Sequence, residues 1–439
     1  MRRIGFKYHL GASITVAASL LLAILCVFCC AQKTDREGNT VSDSAGKLSI
    51  PISRAQIPLG LVGKDEKRTQ EFLKFFKTPT AQYIPLGLYA MVSDIRDSEK
   101  LKALGRRGII LFHKYSSEQD IPDAVADLRS AQKAGVAILQ NLPSKYLLTR
   151  DERFWQQHIL ALAANDQILV WYLPEETKME HLDKLEQIAE IIRVTDNKRR
   201  PIITYVESPI ADYLRRVDGI TDAVVFGAYP SYYGVRPRIE IKRRIDHAYR
   251  SGVHLVIAAL EALKGKKNWT RPKDVRFDAY LALISGAKGI MWYLYDQAKQ
   301  QPQLLEAVLA VATELNGPQH LGEVLLLGIE PNLVSCKMVE GPAYFHSDLP
   351  YGTKPLSSIQ WTARKYEKEL YIFAVNTAQV VDAVDDGGKA CVVKVEFGPV
   401  GNASEVQVVG EERQIKLLDG CFVDTFEPLG THIYRIMLN

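Results

Sequence analysis

Apolar and polar residues along this chain fall into two alternating kinds of block. Short, continuously apolar runs recur eight times: IPLGLYAMVS (84–93), GIILFHKY (108–115), GVAILQNLP (135–143), ILVWYLPEE (168–176), RPIITYVES (200–208), DAVVFGAYP (222–230), VHLVIAALEAL (253–263) and GIMWYLYD (289–296). Runs of this length and character suit parallel strands covered on both faces. Between them the apolar residues return at helical spacing. Leu182, Leu185, Ile188 and Ile192 form one such stripe, and Ile121, Val125, Leu128 and Ala131 another that stops at Gly135. A last helix is expected in QPQLLEAVLAVATELNG, ending at Gly317. Strict strand–helix alternation implies a parallel sheet, and eight units match a (β/α)8 TIM barrel. An open doubly wound sheet is the competing fold. It lacks support here, because no strand is followed by GxGxxG or GxxxxGK[ST].

The pattern differs on either side of the repeat. Before it, Phe72, Phe75 and Phe76 in EKRTQEFLKFF predict a helix leading into the barrel. After residue 318, KELYIFAVNTA, KACVVKVEFGP, SEVQVVGEERQIKLLDG and GTHIYRIML read as short strands between Gly, Asp and Asn turns, with no helix among them. That predicts an antiparallel β-sandwich. The expected organisation is therefore a barrel over residues 51–317 and a β-sandwich domain over 318–439.

The first 50 residues read differently. Arg2, Arg3 and Lys7 precede an apolar run from Leu10 to Phe28, and a polar stretch follows over residues 32–50. This is the layout of a secretory signal peptide cleaved before Gln32, followed by a flexible tether. Acylation of Cys29 or Cys30 as a lipoprotein, or retention as a single membrane anchor, are the alternatives. All three place the protein outside the cytoplasm: secreted, periplasmic or at the cell surface.

Composition narrows the partners. The chain has 439 residues, 47% hydrophobic and 24% charged, with a formal charge of +4. Arg2, Arg3 and Lys7 carry three of those charges, so the body is nearly neutral and offers no electrostatic reason for a nucleic-acid partner. Cys336, Cys391 and Cys421 lie beyond the signal, enough for one disulfide and a spare thiol, and the barrel segment has none. Asn268 and Asn402 stand in glycosylation sequons.

In a (β/α)8 barrel the chemistry sits at the C-terminal ends of the strands. Carboxylates occur there at Asp94, Glu175, Glu176, Glu207, Glu261 and Asp296. Two carboxylates flanking a glycosidic bond suffice for its hydrolysis, one as proton donor and one as nucleophile or base. Adjacent glutamates raise each other's pKa, which suits a donor. Capping of the next helix, or pairing with Lys178, is the structural alternative for Glu175 and Glu176. Glu261 has the same alternative with Lys264, Lys266 or Lys267. Asp94, Glu207 and Asp296 suit caps or turns, with sugar-hydroxyl binding as the alternative for Asp94 and Asp296.

The fourth run, WYLPEET, resembles the fourth-strand end of barrel glycosidases of the 4/7 superfamily (clan GH-A-like). There the proton donor is the second residue of an Asn-Glu or Asp-Glu pair. That resemblance implies Glu176 as donor. It implies Glu261, in IAALEAL at the seventh strand end, as nucleophile of a retaining mechanism. This chain has Glu175 where the superfamily has Asn, which leaves the choice between Glu175 and Glu176 open. SGAKGIMWYLYD and FEPLGTHIYRI are similar to the eighth strand and the closing sandwich strands of extracellular polysaccharide-acting barrels.

Aromatic rings stack on sugar faces. Tyr89, Tyr229, Tyr232, Trp269 and Trp292 are the candidates for such contacts, with His113 and Asn141 for hydroxyls. No HExxH, strand-end HxH or GxSxG occurs, so neither a metal nor a cofactor is expected. The expectation is an exported glycoside hydrolase with a carbohydrate substrate and no membrane contact beyond its N-terminal signal or lipid. A non-catalytic glycan-binding barrel and a barrel enzyme of another class are the competing readings.

Overall fold

Each apolar run of the repeat folds as a short strand, and the polar–apolar segments between them as helices. The computed structural model describes residues 50–52, 66–78, 81–116, 119–232, 238–265, 269–331, 334–345, 355–380, 389–401 and 403–438. The expected signal, most of the tether, Tyr233, Lys266, Lys267, Asn268 and Asn402 lie outside the described residues. Among the described residues no helix is long and apolar enough to cross a membrane.

The eight strands are Leu86–Leu88, Leu111–His113, Ala137–Asn141, Ile168–Tyr172, Ile202–Val206, Ala223–Ala228, Val256–Glu261 and Ile290–Tyr293. Each pairs in parallel with the next, and the eighth closes on the first through Leu86↔Ile290. The helices start and stop where the side chains dictate. Asp97, Asp120 and Asp151 cap helices Ser98–Arg106, Ile121–Ala134 and Glu152–Ala163 by accepting a backbone N–H of the first turn. Gly135 ends the second of these in the left-handed conformation. The stripe Leu182, Leu185, Ile188 and Ile192 is buried against the strands.

Alternation along the strands sorts side chains between two cores. Leu86, Phe112, Ile138, Trp171, Phe226, Leu260 and Trp292 face the helices. Leu111, Leu139, Val170, Ile203, Val225, Ile257 and Met291 fill the bore. The N-terminal helix Glu66–Leu73 and the turn Lys74–Phe76 press Phe72, Leu73 and Phe76 into that bore cluster.

The C-terminal part is a sandwich of two antiparallel sheets. One orders Ile50–Ile52, Ser335–Glu340, Val393–Gly398 and Phe422–Phe426; the other orders Ile359–Tyr366, Glu369–Asn376, Thr431–Met437, Glu405–Val408 and Arg413–Lys416. Trp361 and Tyr434 of one sheet pack on Phe397 of the other, with ring centroids 5.8 and 5.5 Å apart. No disulfide joins Cys336, Cys391 and Cys421 to one another.

Two features depart from the sequence reading. Residues 50–52, expected at the end of the tether and the start of the barrel, supply an edge strand to the sandwich by pairing with Cys336–Met338. Beyond residue 318, where no helix was expected, Leu321–Leu327 forms one. Seven residues are too few for a helical stripe to stand out in the sequence. It buries Leu321, Val324 and Leu325 in the barrel's outer core.

Candidate active site

At the C-terminal end of the barrel the last inward-facing residue of most strands is polar or aromatic. These positions bring together Tyr89, His113, Asn141, Tyr172, Tyr205, Tyr229, Glu261 and Tyr293. The rings form a continuous lining. Tyr89 stacks on His113 with centroids 4.5 Å apart and planes 20° apart, and His113 meets Tyr172 at 4.6 Å. Tyr293 lies 5.4 Å from Tyr89 and 5.5 Å from Tyr229, and Tyr229 stacks on Tyr205 at 6.3 Å. Tyr115 and Tyr232 stand exposed at the rim. The phenol of Tyr205 fits only because residue 227 is glycine: a Cβ there would lie 2.3 Å from the Tyr205 hydroxyl oxygen.

Glu175 reaches into this lining. Its carboxylate accepts a hydrogen bond from the Tyr89 hydroxyl, which lies 2.7 Å from the Tyr172 hydroxyl. Burial lifts its pKa to about 7, against the pull of the Tyr89 and Tyr172 hydroxyls and with a further push from the charge of Glu176. Burial also holds both phenols far above their usual value, so they remain donors at neutral pH.

Glu176 occupies a different environment. It is exposed, its backbone is left-handed at φ 46°, and its carboxylate meets no hydrogen-bond or ion-pair partner among the described residues. The alternative of pairing with Lys178 is not realised; that ammonium lies 4.0 Å from Glu180.

Glu261 ends the seventh strand facing inward, but it is 1% exposed and fully engaged. Its two oxygens accept the Ser231 N–H at 3.0 and 2.9 Å, the Tyr232 N–H at 3.1 Å and the Ser231 hydroxyl. The Arg238 guanidinium stands 3.5 Å away and also binds Asp274, at 2.9 Å, and Asp278. Burial raises the Glu261 pKa, and Arg238 and the Ser231 and Tyr232 donors oppose it. Asp278 is pushed well above the carboxylate range by burial, despite its contact with Arg238. The structure thus ties Glu261 to the loop after the sixth strand rather than presenting it to the bore.

The remaining candidates divide. His113 is fully buried and points into the bore. Burial lowers its pKa to about 3 over a weaker opposing pull from Asn141, so its ring is neutral, and neither nitrogen meets a partner in hydrogen-bonding geometry. The Asn141 amide donates to the Ser116 carbonyl at 2.6 Å. Trp292, expected to contact substrate, is buried on the outer face of the eighth strand among helix side chains; the strand's alternation turns it away from the bore. Trp269 packs half-buried against that same outer core. Asp296, also expected to bind a sugar hydroxyl, is held by Lys299 at 2.7 Å and accepts the Val92 N–H at 2.7 Å. Lys299 bridges it to Asp94, so these two acids clamp the loops after the first and eighth strands. Among the described residues no group of three His, Cys, Asp or Glu side chains is arranged to hold a metal.

Tyr205 was not singled out from the sequence. It sits one position from the hydrophobic outer-facing Val206, and the two-residue period of the strand is the signal that points it inward.

Neither a family model nor a curated protein matches this chain in sequence. Solved structures match in fold. An α-amylase from Anoxybacillus aligns over 80% of this chain and 98% of its own, with 11% identity and a TM-score of 0.50. α-Galactosidase I from Mortierella vinacea aligns over 81% and 97%, with 9% identity and a TM-score of 0.50. A variant of AmyP in complex with maltotriose aligns over 86% and 99%, with 9% identity and the same score. At this level of identity the likeness is one of architecture: the chain shares its barrel followed by a β-domain with these enzymes.

Proposed function

We propose that this protein is an exported glycoside hydrolase acting on a poly- or oligosaccharide, with Glu175 as the proton-donating carboxyl. One observation carries the proposal: a carboxyl with a pKa near 7 set into an aromatic lining at the mouth of the barrel. A group protonated near neutral pH and seated among sugar-stacking rings is what a glycosidic leaving oxygen requires. The fold supports the reading, since barrels of this build in an α-amylase and an α-galactosidase host that chemistry. Glu175 suits the donor role better than Glu176, which lies in water.

A retaining mechanism would use Glu261 as nucleophile. That requires the Ser231–Tyr232 segment to withdraw, because its donors now occupy the carboxylate. This observation favours a second reading, a glycan-binding barrel that does not hydrolyse. Assay of the purified protein against a panel of polysaccharides and aryl glycosides separates the two. Release of reducing ends, abolished in Glu175→Gln, supports hydrolysis; saturable binding with no release supports the second reading. Export rests on the N-terminal charge and hydropathy pattern alone, and N-terminal sequencing of the mature protein tests it.

A further inference from the structure

We propose that Tyr89 and Tyr172 are positioning residues that hold the Glu175 carboxyl in place and set how tightly it keeps its proton. The inference rests on the reading of Glu175 as proton donor and deepens it. Two buried hydroxyls stand in line beside one carboxyl. The Tyr89 hydroxyl donates to Glu175, and the Tyr172 hydroxyl lies 2.7 Å from that of Tyr89. Neither ring is free to turn. Tyr89 is 2% exposed and wedged against His113, Tyr205 and Tyr293, and Tyr172 is wholly buried and packed on His113.

Both phenols stay protonated at neutral pH, so their protons remain available to the carboxyl. A donor aimed at a carboxylate stabilises the ionised form. The tyrosine pair therefore opposes the effect of burial on Glu175, and without it the carboxyl would hold its proton to a higher pH. Burial alone makes a poor acid that never ionises near neutrality; the hydroxyls return it to a range where it can give up a proton and recover it. His113 supports the arrangement as a neutral wedge, since burial keeps its ring uncharged.

The test uses the whole protein with Tyr89→Phe and Tyr172→Phe, which keep the rings and remove the hydroxyls. Two quantities are read. The first is the Glu175 titration in the ligand-free protein, followed by infrared difference spectroscopy of the carboxyl band and assigned by its loss in Glu175→Gln. The second is the pH profile of kcat on any glycoside that is turned over. The expected result in Tyr89→Phe is a Glu175 titration about one unit or more higher. The alkaline limb of kcat moves with it, kcat falls about tenfold or more, and KM stays nearly constant. Tyr172→Phe shifts both quantities in the same direction by less.

A Glu175 titration unchanged in both variants overturns the proposal, and so does a Tyr89→Phe effect confined to KM. If no glycoside is turned over but the titration still moves, the positioning role stands and the hydrolase reading falls. If activity is present and the titration does not move, the hydrolase reading stands and the positioning role falls.

Discussion

Two glutamates that look alike in the sequence differ sharply in physics. Glu175 titrates near pH 7, whereas an unfolded glutamate titrates near 4.5. The folded-state value is raised, so the folded protein binds this proton more tightly than the unfolded chain. The stability contributed is fully present below about pH 4.5 and is lost as pH rises through 7. Glu175→Gln is therefore expected to gain stability over wild type as pH goes from 4.5 to 8, in thermal melts across that range, while losing roughly 10²–10⁴-fold in activity. A melt difference that does not depend on pH would contradict the assignment. Glu261 predicts the opposite balance. Removing it leaves the part-buried Ser231 and Tyr232 N–H groups without their acceptor and takes one of three carboxylates from Arg238, which keeps Asp274 and Asp278. Glu261→Ala should cost about 2–5 kcal/mol in denaturant unfolding, because these N–H donors lose their acceptor. The position of both glutamates at strand ends was readable from the run pattern. Their environments were not, because the Tyr89 hydroxyl and the Ser231 N–H come from the loops after the first and sixth strands, 86 and 30 residues away in sequence.

Strand alternation decides which aromatic residues meet the site. On the eighth strand Met291 and Tyr293 face the bore, and Trp292 between them faces the helices. An indole at a strand end is a candidate stacking platform for a sugar, which is what makes Trp292 a candidate in the sequence. The two-residue period of the strand, with Met291 inward, turns Trp292 outward. Trp292→Phe is thus expected to lower stability through lost packing and to leave substrate KM unchanged; a raised KM in initial-rate assays would place it at the site after all. Gly227 on the sixth strand gives the complementary case. An alanine there collides with the Tyr205 hydroxyl, so Tyr205 must leave its stack on Tyr229. Gly227→Ala should destabilise by about 1–3 kcal/mol, as overpacking does, and should also raise KM, read from unfolding curves and initial rates on one preparation. The eight barrel strands were legible because each is a continuous apolar run. The helix Leu321–Leu327 was not, because two turns hold too few residues to show a period.

At the scale of the whole molecule, the barrel and the sandwich bury one core between them. Tyr371, Phe373, Val375 and Ile433 of the sandwich belong to the same apolar cluster as the barrel's helices. Tyr280, on helix Pro272–Ile284, stacks on Phe373 with centroids 6.3 Å apart. Arg276 of that helix donates to the Thr431 carbonyl at 2.6 Å and pairs with Glu314 at 3.0 Å. That helix is buried along nearly its whole length, which explains why its sequence lacks a polar face. The strand Ile50–Ile52 adds a covalent consideration: the chain enters the sandwich before it builds the barrel, then returns to it at the end. A mature chain beginning at Gln32 would keep this strand. Domains joined only by a linker unfold separately, whereas domains sharing a dry interface and a crossing chain unfold together. Calorimetry of the mature protein is therefore expected to show one transition, with its calorimetric and van't Hoff enthalpies in agreement. Two resolved transitions would mean that the cluster around Phe373 contributes little. Substituting Phe373→Ala separates these cases further. A shared core predicts one transition at a lower melting temperature, with about 3–5 kcal/mol of packing lost. An independent sandwich predicts a shift in its own transition alone, with the barrel's unmoved.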